Sequence, residues 1–224
     1  MKTLAIDTSG TAATAAVTED GMLVGTTTLN LKKPHSQKIM PVIEELLKLL
    51  ELDISDIDLF AAAHGPGSFT GLRIGVAAIK GFSDALSKPA VGVSTVEAMA
   101  LPFFDSDCLI CPILDARREQ VYYGVYRHNG GLDTIMEPDC SDINNLLSRL
   151  ACLNKKVLFT GDCVQKYEEY IKKQLGGNAV LTPPSYCVNN AVNVALLAEK
   201  MYKEKNNLPL NPEYILRAYI SGQE

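Results

Sequence analysis

Two short stretches carry residue types that can do chemistry. The first is "HGPGSFTG", His64 to Gly71, in which Gly65, Gly67 and Gly71 surround Ser68 and Thr70. Glycines there let the backbone take positive φ and come close to a ligand. An apolar strand pattern precedes the stretch and an apolar helix pattern follows it. Unpaired N–H groups at the helix start would then face a bound anion, with two hydroxyls beside them. The second stretch is Asp7-Thr8-Ser9-Gly10, at the end of the first apolar run. An aspartate followed by a turn of small residues can hold Mg²⁺ together with a phosphate.

Neither stretch is a complete nucleotide motif. Leu72 and Arg73 stand after Gly71 where a P-loop has Lys and then Ser or Thr, and the glycine spacing is not G-x-G-x-x-G. The Asp7 turn has one glycine and no lysine, and its counterpart in the second half, Gly161-Asp162, adds nothing further. A purely structural strand-to-helix turn, with Thr70 as the helix N-cap, accounts for the same residues. Ser68 lacks a G-x-S-x-G context and an identifiable base, so no catalytic residue is expected. The histidines are His35, His64 and His128, and Ile39 stands four residues after His35, so no helical His pair exists. No metal site is expected.

Bulk properties narrow the classes. The 224 residues carry a net charge of −5 and no basic stripe, which argues against binding nucleic acid alone. No run of about 18 apolar residues occurs, so no membrane span is expected. "MKTLAID" enters an apolar strand directly, without a secretory pattern, and a cytoplasmic location is expected. The six scattered cysteines read as buried free thiols, because Cys108 and Cys111 have no second pair with which to bind zinc.

The elements that must position the two stretches follow from periodicity. "KTLAID", "ATAAVTE" and "MLVGTTTLN" read as strands, turning at Ser9-Gly10 and Asp20-Gly21. A helix is expected over 36–50, a strand over 58–64, a helix over 70–86 and a strand at "AVGVS". The order β-β-β-α-β-α-β implies an α/β fold, a mixed sheet with helices packed on it. A boundary near 102–107 divides a first lobe, 1–102, from a second, 103–207, with a tail of about 208–224 packing back on the first. In the second lobe "CLICPILDA", "VYYGVYR" and "KVLFTGD" read as strands, and 142–150, 164–174 and 188–205 as helices. Each half starts with strands and ends with helices, which hints at a duplication.

The helix over 70–86 is apolar on two sides. At roughly 100° per residue, Leu72, Val76, Ile79, Phe82 and Leu86 form a core face. Gly71, Ile74, Ala77, Ala78, Gly81 and Ala85 lie opposite, and Arg73, Lys80 and Asp84 share a narrow wedge. The helix before it is also wider in apolar surface than a one-sided helix needs. Ile39, Met40, Ile43 and Leu47 of that helix join the small-residue side of the next as the expected partner interface. The alternative is that the second lobe covers both.

"GPGSFTGLRIG" resembles, almost letter for letter, the signature segment of the TsaB family, also called YeaZ. "LAIDTS", "PHSQKIMPVI", "GVSTVEAMA" and "DARREQVYYGVY" extend the resemblance from Met1 through Tyr126, beyond which it fades. The segment Pro212-Glu-Tyr-Ile-Leu-Arg217 carries one residue more than the family's P-x-Y-L-R. The resemblance implies a two-lobed actin-like ATPase fold (ASKHA, ribonuclease H-like). It implies a non-catalytic subunit of the bacterial machinery that forms N6-threonylcarbamoyladenosine at position 37 of ANN-decoding tRNAs. There TsaC makes threonylcarbamoyl-AMP, TsaD transfers the group, and TsaE is an ATPase partner. The implied partners are TsaD in a heterodimer, TsaE, a second copy when alone, and tRNA only through the complex. No intrinsic cofactor is implied, with ATP or ADP held weakly at most or at the complex interface. Asp7, Ser9, Gly65, Gly67, Ser68 and Thr70 then form a vestigial ligand loop. The alternative is an ASKHA-type ATP-binding or phosphotransfer enzyme using Asp7 and the Ser68–Gly71 loop.

Overall fold

The computed structural model describes residues 1–30, 39–104 and 107–204. It divides into two compact units, Met1–Ala98 together with the chain from Asn189 onward, and Met99–Val188.

In the first unit, β1 (Lys2–Asp7), β2 (Ala13–Glu19) and β3 (Met22–Leu29) form an antiparallel meander. Then follow α1 (Ile39–Leu49), β4 (Leu59–Gly65), α2 (Phe69–Leu86), β5 (Ala90–Ser94) and the short α3 (Thr95–Ala100). The sheet order is β3-β2-β1-β4-β5, with β4 parallel to β1 and β5 parallel to β4. β1 and β4 lie inside the sheet and are buried on both faces, so each is a near-continuous small and apolar run. The core on the α1 and α2 side joins Leu4, Ile6, Ile43, Leu46, Phe60 and Ile79.

The second unit repeats this wiring. β6 (Leu109–Asp115), β7 (Gln120–His128) and β8 (Leu132–Asp142) form an antiparallel meander, followed by α4 (Ile143–Cys152), β9 (Val157–Thr160), α5 (Val164–Leu175) and β10 (Ala179–Leu181). The order is β10-β9-β6-β7-β8, with β9 parallel to β6 and β10 parallel to β9. Reading outward from the first strand of each unit, the two sheets have one topology. The duplication hinted at by the sequence therefore exists at the level of chain path. The β6–β7 turn runs through three successive left-handed residues, Arg117, Arg118 and Glu119, with φ of 67°, 48° and 63°. Such residues lack glycine's freedom, and each is disfavoured by roughly 1–2 kcal/mol.

Three expectations are corrected. The last described helix, α6 (Ala191–Glu204), was placed with the second lobe, but it belongs to the first unit and packs on β1, β2, β4 and β5. Its Ala191, Val194, Ala195 and Ala198 are fully buried, because small side chains let a helix lie close on an alanine-rich sheet. Thr18 Oγ1 donates to Glu199 Oε1 at 2.6 Å and the Ala191 N–H to Thr14 Oγ1 at 2.9 Å, tying the helix to β2. Second, β8, α3 and β10 had no counterpart in the sequence reading. β8 carries acids and a proline because it is an exposed sheet edge. Third, the cysteines are not uniformly buried. Cys111, Cys163 and Cys187 are buried and Cys108 half-buried, whereas Cys140 and Cys152 are exposed. The expected tail packing and His35 lie outside the described residues. Among the described residues, no helix is long and apolar enough to cross a membrane.

Candidate functional site

The two stretches singled out by their residue types come together. Asp7 closes β1, and its buried carboxylate accepts at Oδ1 from the Ser9 N–H (2.9 Å) and Ser9 Oγ (2.5 Å). Its Oδ2 is buried and finds no hydrogen-bond partner among the described residues. Burial pushes the carboxyl above the usual aspartate range, against the opposing pull of the Ser9 and Asn189 hydrogen bonds. Asn189, just ahead of α6, donates from Nδ2 to the carbonyls of Asp7 (3.2 Å) and Ala12 (3.1 Å) and so pins the turn. Nothing in the sequence marked Asn189, because its partners lie 177 and 182 residues away.

The glycine loop folds onto this turn. The Ser68 N–H donates to the Ser9 carbonyl at 2.7 Å. A Cβ on Gly67 would lie 2.5 Å from that same oxygen, and one on Gly71 would lie 1.9 Å from the Thr8 carbonyl oxygen. Thr8 Oγ1 in turn donates to the Gly71 carbonyl at 2.7 Å. Gly65 and Gly67 sit at φ of 124° and 155°, where a side chain is strained. The glycines are therefore needed by backbone packed on backbone. At Gly67 and Gly71 the place a side chain would take is occupied by the main-chain oxygens of Ser9 and Thr8.

The helix cap is also corrected. α2 begins at Phe69, and its N-cap is Ser68, whose Oγ accepts from the Gly71 N–H at 3.3 Å. Thr70 is an exposed residue of the first turn. The Gly161-Asp162 turn of the second unit repeats the packing device: Gly161 has φ of 106°, and a Cβ there would lie 2.3 Å from the Ile113 carbonyl oxygen. The Asp115 N–H donates to Asp162 Oδ1 at 3.0 Å, and burial raises the Asp162 carboxyl. Burial likewise lowers the His64 imidazole.

The expected interface residues separate into two groups. Ile39, Ile43 and Leu47 are buried in the first unit's own core, and Gly71 is buried against Thr8. Ile74 and Ala78 are partly buried and pack on that core. Ile39, Ile43, Leu47 and Gly71 offer no face to a partner, because the helix wheel cannot tell the side turned to the sheet from its flanks, whereas Ile74 and Ala78 keep part of their surface exposed. Met40, Ala77, Gly81 and Ala85 are exposed. Ala77, Gly81 and Ala85 continue an i, i+4 row that begins with Phe69 and Arg73, and the Arg73 guanidinium lies 3.9 Å from the centre of the Phe69 ring. Phe69 is 51% exposed and was not marked in the sequence, where it read as a loop residue.

The family model described as "TsaD: tRNA N6-adenosine threonylcarbamoyltransferase" matches residues 25–206. The tRNA threonylcarbamoyladenosine biosynthesis protein TsaB of Bacillus subtilis is 36% identical over 177 residues, covering 79% of this chain and 77% of that protein. The chain belongs to the TsaB family. Among solved structures, YeaZ from Pseudomonas aeruginosa superposes with a TM-score of 0.76 at 22% identity, over 97% of this TsaB-family chain and 99% of that one. A ROK hexokinase from Thermus thermophilus superposes with a TM-score of 0.51 at 10% identity, covering 91% and 100% of the two chains. The TsaB-family chain thus has the actin-like ATPase type of fold.

Proposed function

We propose that this chain is the non-catalytic subunit that binds and supports TsaD in forming N6-threonylcarbamoyladenosine at position 37 of ANN-decoding tRNAs. Family membership gives it a role in tRNA threonylcarbamoyladenosine biosynthesis. The observation that supports a binding role is the outer face of α2. It is a row of exposed small residues, Ala77, Gly81 and Ala85, that lets another helix approach closely, with Phe69 and Arg73 as larger anchors at one end. TsaD is its proposed occupant, and a second copy takes its place when TsaD is absent. TsaE joins the assembled complex. The net charge of −5 leaves the grip on tRNA mainly to the partner.

The glycine loop supports a non-catalytic reading, since close packing on the main chain of Thr8 and Ser9 accounts for Gly67 and Gly71 without a ligand. No intrinsic cofactor is proposed, and ATP or ADP binds weakly or at the complex interface. The proposed location is the cytoplasm. One observation favours the alternative of an ATP-binding enzyme: the unpartnered Oδ2 of Asp7. Calorimetric titration with Mg-ATP, repeated on Asp7→Ala, separates that reading.

The deciding experiment is reconstitution with TsaC, TsaD and TsaE, supplying threonine, bicarbonate, ATP and an unmodified ANN-reading tRNA, with and without this chain. Product that needs this chain, combined with no transfer by the chain alone, is the expected result. Equal product in its absence overturns the proposal.

A further inference from the structure

The last pair of β7 and β8 is His128 with Leu132, so Asn129, Gly130 and Gly131 form the loop between the two strands. Asn129-Gly130 is the one Asn-Gly step in the sequence. Both residues are exposed. Gly130 sits at φ of 72°, and a Cβ built on it meets nothing within 4 Å. Its N–H makes no hydrogen bond among the described residues. The Asn129 side chain is restrained only by Nδ2 against Asp133 Oδ2 at 3.5 Å, the outer limit of a hydrogen bond. Asp133 has a nearer partner in Arg127, whose Nη2 lies at 3.3 Å. Asn145 is exposed too, but it lies in α4 and is followed by the fully buried Leu146.

The side-chain amide carbon of an asparagine and the nitrogen of the next residue can close a five-membered ring. Glycine in the next position leaves that nitrogen the least crowded and its backbone the freest to turn. We propose that Asn129 is a site of uncatalysed covalent modification, deamidation through a cyclic imide. The Gly130 nitrogen bonds to Asn129 Cγ and the Cγ–Nδ2 bond breaks. Ammonia leaves, carrying in net the proton that the Gly130 nitrogen gives up. Water then opens the imide at either carbonyl, leaving aspartate or its isoaspartyl isomer at position 129. No oxidant or reductant is consumed. Hydroxide assists by taking the Gly130 proton, so the rate rises with pH. Arg127 and Asp133 balance in charge at this hairpin end. The product adds a carboxylate beside Asp133 and removes the Asn129 donor, which makes the end of the hairpin acidic and sets two like charges against each other.

Ageing the folded full chain at mildly alkaline pH, followed by peptide mapping for aspartate and isoaspartate and by isoelectric focusing, tests this. Asn129 is expected to convert at least about tenfold faster than Asn145, a barrier difference of roughly 1.4 kcal/mol or more, with an acidic form of the intact chain accumulating in step. Gly130→Ala should slow the conversion by a similar factor, and the free space around Gly130 lets that variant fold. Asn129→Gln, whose longer amide must close a six-membered ring, should stay intact over the same time. Conversion at Asn129 no faster than at Asn145 overturns the proposal. So does an Asn129 that converts in urea but persists in the folded chain, because the hairpin then protects it.

Discussion

Gly71, in the first turn of α2, stands so close to Thr8 that a Cβ built on it would lie 1.9 Å from the Thr8 carbonyl oxygen. The atom it meets is main chain at the end of β1, which cannot swing aside. Gly81, ten residues along the same helix, has nothing within 4 Å of its built Cβ. One substitution therefore has opposite signs at two sites. Gly71→Ala is expected to destabilise by about 3 kcal/mol or more through overpacking. Gly81→Ala should stabilise by up to about 1 kcal/mol through helix propensity. Urea unfolding of the two variants, read for midpoint and slope, checks both.

α6 offers a test of the unit assignment. Ala195 is fully buried against the first unit's sheet. Ala195→Asp places a carboxylate there without a partner, with an expected loss of several kcal/mol. If α6 belonged to the second unit, β6, β7 and β9 would lose protection first. The expected outcome is the reverse: amides of β1, β2 and β4 exchange faster, and those of β6 and β9 change little. Native-state hydrogen exchange distinguishes the two.

What was legible in the sequence was what depends on near neighbours. The first three strands, β4, α2 and β5 follow from runs and periods of a few residues, and so does the β-β-β-α-β-α-β order of the first half, whereas its repeat in the second half was only hinted at. β8 was missed because an exposed edge strand bearing Asp133, Glu137 and Pro138 looks like a loop. The assignment of α6 was missed because its burial depends on strands more than a hundred residues earlier, as the Asn189–Asp7 and Glu199–Thr18 bonds show. In the site, the need for glycine at 65, 67 and 71 was readable, but its cause was not. Positive φ and close approach serve a ligand or a neighbouring turn equally well, and the contacts with the Thr8 and Ser9 carbonyls exist only in the folded chain. The interface wheel failed for a related reason, since Ile39, Ile43 and Leu47 are apolar whether they face a partner or their own core.

Asp7 should make the protein more stable when its charge is removed. Burial raises its carboxyl pKa above the unfolded value, so the native state holds its proton more tightly than the unfolded chain. Stability then falls as pH rises from below the unfolded pKa, about 3.9, through the folded value, and is flat beyond it. Asp7→Asn keeps a carbonyl oxygen to accept from Ser9 N–H and Oγ and carries no charge. It is expected to melt higher than the parent at pH 7, with the advantage shrinking toward pH 4. Thermal melts of the two proteins across that range check the sign. An advantage that grows on acidification would mean that the ionised carboxylate is held by a partner, as the ATP-binding reading requires.

The exposed row on α2 carries the last prediction. Ala77→Arg and Gly81→Arg place a long charged side chain on a helix face that no part of the described first unit covers, and where Gly81 meets no neighbour. Neither change should lower the melting temperature by more than a few degrees, since surface substitutions typically lie within about 0.5 kcal/mol. Both should weaken association with TsaD by about tenfold or more, because a helix seated on small residues cannot accept a guanidinium between the two backbones. Ala78→Arg is the internal control of geometry: Ala78 packs on the core, so that variant should lose stability as well as binding. Melting curves and titration calorimetry against TsaD on the three variants separate the outcomes. Normal TsaD binding by both Ala77→Arg and Gly81→Arg would show that the partner sits elsewhere. Loss of binding by both with an unchanged fold would place TsaD on the row that runs from Phe69 to Ala85.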